Sequence, residues 1–121
     1  MPFYGYTGIP SPDAPNISVT GRVLKWLVKE NDYVQPDTNI AEIAIGAERF
    51  HVVICFPALI EKQLTKEGQT SEKNTSLLKW NADGERIPYG SSYFITKKVN
   101  AEQSAVPLPR DSQPDRSEGA R

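Results

Sequence analysis

The chain has 121 residues, a net charge of −1 and a hydrophobic fraction of 38%, which together indicate one small domain with polar ends. The near-neutral charge argues against nucleic acid and anionic membranes as partners, and no apolar run reaches the ~18 residues of a membrane span. The single cysteine, Cys55, excludes an intrachain disulfide and, with no signal-type N-terminus, favours a cytoplasmic protein.

Residues 1–19 are rich in proline, glycine and serine, and their prolines disfavour a helix. The composition predicts an extended N-terminal arm with at most one short strand, near Ile17–Val19. Three aromatic residues lie among its glycines: Phe3, Tyr4 and Tyr6. Two interpretations stay open for these rings. They pack back on the domain, for instance on Tyr93 and Phe94, or they form a short partner-binding arm.

Residues 20–80 contain short apolar stretches separated by turn residues, a pattern typical of an all-β domain. Strands are predicted at residues 21–28, 33–34, 40–45, 50–55, 59–65 and 76–80. Strict alternation fails within 21–28, which indicates either a bulge or two partly buried faces. A hairpin turn is predicted over Gly46–Arg49, and Pro57 ends the returning strand.

The character of the chain changes after Trp80. Residues 81–99 are expected to hold a turn and one more edge strand or ordered patch around Tyr93–Ile95. Residues 100–121 consist mainly of proline, serine, glutamine and charged residues. They offer too little apolar surface to offset backbone ordering at ~1–2 kcal/mol per residue, so we predict a disordered tail.

A weak internal repeat relates residues 21–43 to residues 58–80, with an offset of 60 − 23 = 37. Val23 corresponds to Ile60, and Asn31 to Gly68, which is also a turn residue. Because a repeat decides architecture, two copies around one core predict a small pseudo-symmetric β domain.

The segment from Val23 to Ile43 contains Trp26, then Lys-Glu-Asn-Asp-Tyr-Val, then Ile-Ala-Glu-Ile. In this order these features resemble the first half of a lipoyl or biotinyl domain. The resemblance extends over about residues 9–80. It implies a flattened β-barrel, or barrel-sandwich hybrid, of two small antiparallel sheets with pseudo-two-fold symmetry over residues 20–80. It also implies that Trp26 packs in the core.

Members of that family carry lipoate or biotin on a lysine at a hairpin tip, within Asp-Lys-Ala or Met-Lys-Met. This chain has Glu48, Arg49 and Phe50 there, and residues 30–61 contain no lysine. A guanidinium keeps its proton and its delocalised lone pairs, so it offers no amine for an amide bond. The sequence therefore predicts a degenerate attachment tip without cofactor. Arg49 is either an ordinary exposed arginine at a turn or part of a docking tip.

The resemblance predicts a non-catalytic interaction or docking module for a larger enzyme or assembly, with a protein as its partner. The partner-binding candidates are Ala47, Glu48, Arg49, Phe3, Tyr4 and Tyr6. The alternative is a genuine lipoyl or biotinyl carrier of a multienzyme complex, modified at another lysine. No catalytic or metal site is predicted: the lone His51 is expected on the exposed side of a strand, and Cys55 as a small buried hydrophobe. The oligomeric state is left open.

Overall fold

In this computed structural model, residues 2–87 and 93–100 are described. The predicted disordered tail over 100–121 lies outside these residues, apart from Asn100. Within the described ranges, no helix has the length and apolar character needed to cross a membrane.

Short β-strands dominate the described residues. The strands are β1 (Pro2–Thr7), β2 (Ile9–Pro10), β3 (Ser18–Val19), β4 (Gly21–Trp26), β5 (Tyr33–Val34), β6 (Thr38–Ile45), β7 (Glu48–Ile54), β8 (Ala58–Gln63), β9 (Thr70–Ser71), β10 (Leu78–Asp83) and β11 (Phe94–Val99). A 3-10 turn, Gly84–Arg86, follows β10. The predicted all-β class is therefore confirmed.

The strands form three antiparallel sheets. One has the order β1-β10-β8-β5, the second the order β11-β7-β6-β4-β9, and a small third sheet pairs β2 with β3. Over the described residues none of the three closes into a barrel.

The extended N-terminal segment is part of the domain and does not project from it as an arm. Strand β1 pairs with β10 along its full length, from Pro2 opposite Asp83 to Thr7 opposite Leu78. Its aromatic residues therefore belong to the edge of the four-stranded sheet. At the other end of the chain, β11 pairs with β7 and is an edge strand of the five-stranded sheet.

One hydrophobic core draws residues from both large sheets. The alternating pattern of β7 buries Phe50, Val52 and Ile54, as expected for a strand with one face on the core. Trp80 of β10 is only 2% exposed, and its ring meets that of Phe56 edge to face with centroids 4.9 Å apart.

The core tryptophan is Trp80, and Trp26 lies beside the core. Trp26 is only partly buried, although it packs against the core cluster, and its indole N–H donates to the carbonyl of Thr65 over 2.9 Å. Trp26 was expected inside the core, and it is instead only partly buried against it. The reason is a bulge of β4 between Val23 and Lys25, which changes which side chains face inward. The same bulge explains the broken alternation in the sequence.

Candidate functional site

The β6–β7 hairpin turns through two residues, Gly46 and Ala47. Ile45 and Glu48 are paired across the turn, so β7 begins two residues earlier than the sequence suggests. Gly46 has a φ of +61°, which glycine adopts without steric cost and which suits the first central position of a type II′ hairpin turn. The exposed tip therefore consists of Gly46, Ala47 and Glu48.

Arg49 does not lie at the exposed tip. It stands in β7 opposite Ala44, and its side chain is only 16% exposed. Phe50, the next residue, is buried in the core. The stretch predicted as a degenerate tip is thus divided among three environments: Glu48 in solvent, Arg49 against the sheet, and Phe50 inside.

Arg49 lies against a buried carboxylate. Glu42 of β6 is fully buried, with Arg49 Nη1 3.5 Å from its Oε2 and His51 Nε2 3.0 Å from its Oε1. A buried carboxylate is costly unless it is paired and hydrogen-bonded, so these contacts hold Arg49 along the strand. His51 is therefore mostly buried, with a side chain 14% exposed, and the expected exposed position for it is wrong.

The strand pairing accounts for this cluster. Glu42 faces His51 directly across β6 and β7, and Arg49 is two residue pairs nearer the turn, on the same face. Sequence alone gives no sign of it, because the register depends on where the two-residue turn falls.

A lysine reaches the hairpin from β11, which the sequence interpretation missed. Lys98 Nζ lies 2.8 Å from Glu48 Oε2, and both side chains are well exposed. The residues that form this ion pair are 50 positions apart in sequence, so only the pairing of β11 with β7 reveals it. An exposed pair of this kind adds little stability.

Cys55 is a half-buried free thiol just after β7. Burial raises the pKa of its thiol, the nearby charge of Asp37 adds to the rise, and Lys97 opposes it. A raised pKa keeps the thiol protonated at neutral pH, which disfavours a nucleophilic role. The described residues contain no group of three or more metal-ligating side chains.

The three N-terminal aromatic residues lie on both faces of β1. Phe3 packs on Trp80, with ring centroids 5.8 Å apart. Tyr4 and Tyr6 point to the opposite face, where Lys79 Nζ lies 5.4 Å and 5.7 Å from their ring centroids. All three side chains keep about half or more of their surface exposed.

Two surface depressions accompany these features. A cavity of about 390 Å³ lies beside the end of β1 and is lined by residues that include Thr7, Pro10 and Tyr93. A shallower groove of about 710 Å³ lies between the turns that follow β4 and β8.

No protein-family model, curated protein or solved structure matches this chain.

Proposed function

We propose that this chain is a lipoyl/biotinyl-like β domain that acts as a docking module for a larger protein assembly and carries no cofactor at its hairpin. The observation that carries the proposal is the contact with the buried Glu42 of Arg49, the residue that the sequence resemblance aligns with the family's attachment lysine. A carrier needs a free amine at the tip. This hairpin has none, and its one cation is held against the sheet.

Reciprocal hydrogen bonds support the quasi-two-fold fold that the proposal needs. The amide of Asn31 donates to the carbonyl of Ile60 over 2.7 Å, and the amide of Gly68 donates to the carbonyl of Val23 over 2.7 Å. Adding the offset of 60 − 23 = 37 to the donor and subtracting it from the acceptor converts the first bond into the second, as exchange of the two halves requires. Both donors have positive φ, 74° for Asn31 and 85° for Gly68.

Side-chain contacts obey the same relationship. Glu67 accepts a hydrogen bond from the backbone amide of Trp26 over 2.8 Å, and Glu30 accepts one from the amide of Gln63 over 2.8 Å. Each carboxylate thus accepts a hydrogen bond from a strand that belongs to the other copy of the repeat. Such paired contacts are what two copies of one motif around a shared core would produce.

Strand pairing adds a third line of support. Gly21 and Arg22 of β4 pair with β9, while Ala58 and Leu59 of β8 pair with β5 in the corresponding register. The β4–β6 ladder is irregular after Val23, and the β8–β10 ladder is irregular at the corresponding point, where Ile60 pairs with Trp80. The repeat in the sequence is thereby matched by a repeat in the pairing.

The docking role follows from what the hairpin retains. Ala47 and Glu48 form an exposed turn at the end of the β6–β7 hairpin, and we assign the contact with a protein partner to this turn. The low net charge of −1 gives no electrostatic support for nucleic acid or an anionic membrane as the partner.

The genuine carrier remains the second candidate, and Lys98 is the observation that favours it. Its amine reaches Glu48 at the hairpin, so a lysine with an acidic neighbour does lie near the predicted tip. It stands within strand β11, however, and family attachment uses a lysine at the turn itself.

Intact mass spectrometry after co-expression with lipoyl and biotinyl ligases and their cofactors tests the proposal. We expect wild-type protein and Arg49→Lys to keep their unmodified mass, because residue 49 lies along the strand and not at the turn. Ala47→Lys is the matched variant that places an amine on the exposed tip, and modification of it alone would support a degenerate carrier fold.

Modification of wild type would contradict the docking-module proposal. Lys98→Arg then identifies the site, since loss of the added mass in that variant would establish the carrier alternative at Lys98.

A further inference from the structure

Strand β1 has an open outer edge. In its sheet β1 flanks β10, and no strand among the described residues pairs with its other side. In the five-stranded sheet, β7 flanks β6 in the same way, but β11 covers its outer edge. Apart from Pro2, with which the strand begins, β1 carries none of the charges, prolines or bulges with which natural edge strands discourage pairing. The edge is therefore suited to accept another strand.

The side chains of β1 divide by face. Tyr4 and Tyr6 lie on the outer face and are 54% and 63% exposed. Phe3 lies on the inner face, where its ring packs on that of Trp80 in a tilted arrangement, and 49% of it remains exposed. An uncharged strand with three half-exposed aromatic rings leaves apolar surface on both faces.

The cavity beside β1 lies next to this edge. It is lined by Thr7 and Gly8 together with Pro10, Pro15 and Tyr93, among others. Tyr6 lines the cavity as well, and none of the described lining residues belongs to β10. A ring delivered by an added strand at the level of Thr7 would lie beside this cavity.

We propose that two copies of this chain pair through their β1 edges, antiparallel and centred on Gly5. In that register Tyr4 of one copy faces Tyr6 of the second, and Phe3 faces Thr7 of the second. Because alternate residues of a strand share a face, the Tyr4–Tyr6 pairs lie on the outer face of the sheet and the Phe3–Thr7 pairs on its inner face. Phe3 of each copy thereby lies beside the cavity of the other.

Self-complementarity is the reason for choosing a second copy as the occupant. A two-fold axis requires the same patch to supply both the projecting group and its recess, and β1 supplies Phe3 at one end and the cavity beside Thr7 at the other. Residues 3–7 carry no charge that would repel the same residues of the second copy, and the net charge of −1 gives little long-range repulsion between the two chains. Cross-strand aromatic pairs such as Tyr4 with Tyr6 are favourable in antiparallel ladders.

The expected dimer is reversible. Six residues of strand on each side cover less than the ~800 Å² per partner of a standard interface, so dimerisation depends on protein concentration. The inference rests on sheet order and on β1, and not on the lipoyl-like fold. It assigns Phe3, Tyr4 and Tyr6 to a second copy and leaves the hairpin at Ala47 free for another protein.

Analytical ultracentrifugation of the full chain from micromolar to millimolar concentration tests the pairing. Tyr4→Lys is compared with Tyr33→Lys, because Tyr33 is 55% exposed on β5, at the opposite edge of the same sheet. We expect wild type and Tyr33→Lys to dimerise alike, and Tyr4→Lys to raise the dissociation constant by about tenfold or more. Circular dichroism confirms that both variants remain folded, and Tyr6→Lys repeats the test at the second outer-face position.

Nuclear Overhauser effects between isotope-labelled and unlabelled copies test the register. Contacts from the Tyr4 ring of one copy to the Tyr6 ring of the other are expected. A wild-type chain that stays monomeric at every concentration overturns the proposal, as does a dimer that Tyr33→Lys weakens as much as Tyr4→Lys. Either result would leave the mass-spectrometric test of the hairpin unaffected.

Discussion

The Trp80 ring lies directly on the backbone of Gly5. A Cβ atom built on Gly5 would overlap the six-membered ring of Trp80, which is itself fixed by a hydrogen bond from its indole N–H to Thr7 Oγ1 over 3.0 Å. Gly5 is thus required by close packing between β1 and β10, and the segment that looks like a loose arm is held by the largest side chain of the core.

Gly5→Ala should destabilise the domain because the added methyl group displaces a buried tryptophan. We expect a loss of about 1–3 kcal/mol in the free energy of unfolding, measured by urea denaturation. Tyr6→Ala, one position along on the outer face, is the control and should cost less, since no core contact is lost. Equal costs would mean that β1 does not pack through Gly5.

The two tryptophans should differ in their contribution to stability. Trp80→Ala removes a side chain that is 2% exposed and should cost about 3–5 kcal/mol. Trp26→Ala removes a partly buried ring whose indole N–H bonds the carbonyl of Thr65, so the loss should be smaller. Chemical denaturation of both variants compares them, and a larger loss for Trp26 would contradict this placement of the core.

These contrasts show which parts of the fold can be predicted from the sequence. The all-β class, the hairpin near Gly46 and the irregularity in β4 depend on local signals, namely alternation, turn glycines and broken alternation. Strand β1 could not be predicted in this way, because it pairs with a partner more than 70 residues away and because its Pro2 and Gly5 are typical of a loop.

The candidate site escaped prediction for a related reason. The tip of a hairpin depends on which two residues form the turn, and a shift of two positions moved Arg49 from solvent to the sheet. The contacts of Glu42 with Arg49 and His51, and of Glu48 with Lys98, exist only once that register is set.

Removing the Arg49 cation should expose the cost of burying Glu42. Arg49→Met leaves the buried carboxylate with one charge-assisted contact fewer, and we expect a loss of about 1–3 kcal/mol in unfolding free energy. Lys98→Met is the matched control, because the ion pair that it breaks is exposed and is worth less than about 1 kcal/mol. If Arg49→Met costs no more than Lys98→Met, the contact with Glu42 does not hold the hairpin.

The Cys55 thiol should react more slowly in the folded protein than in the unfolded chain at a given pH. Its pKa is raised by burial and by Asp37, so the thiolate forms at higher pH in the native state. The alkylation rate of the folded protein should therefore begin to rise at a higher pH than that of the chain unfolded in urea. Folding then favours the protonated thiol, and this part of the stability is lost as pH rises through the native pKa. Iodoacetamide rates followed by mass spectrometry measure both profiles. Coincident profiles would contradict the shift.

The turns at Asn31 and Gly68 offer a test of backbone conformation that is independent of packing. Gly68 has a φ of 85°, and a Cβ added there would meet no atom within 4 Å, so any cost of substitution comes from the left-handed conformation itself. Gly68→Ala should therefore lose about 1–2 kcal/mol in unfolding free energy. Gly68→Asn should lose less, because asparagine tolerates this region and already occupies the corresponding turn at Asn31, where φ is 74°. Asn31→Gly should be neutral or slightly stabilising for the same reason.

Urea denaturation of the three variants should give the order Asn31→Gly, Gly68→Asn, Gly68→Ala from most to least stable. An alanine tolerated at residue 68 as well as asparagine would show that this turn does not need positive φ, and the correspondence between the two turns would then lose its physical basis.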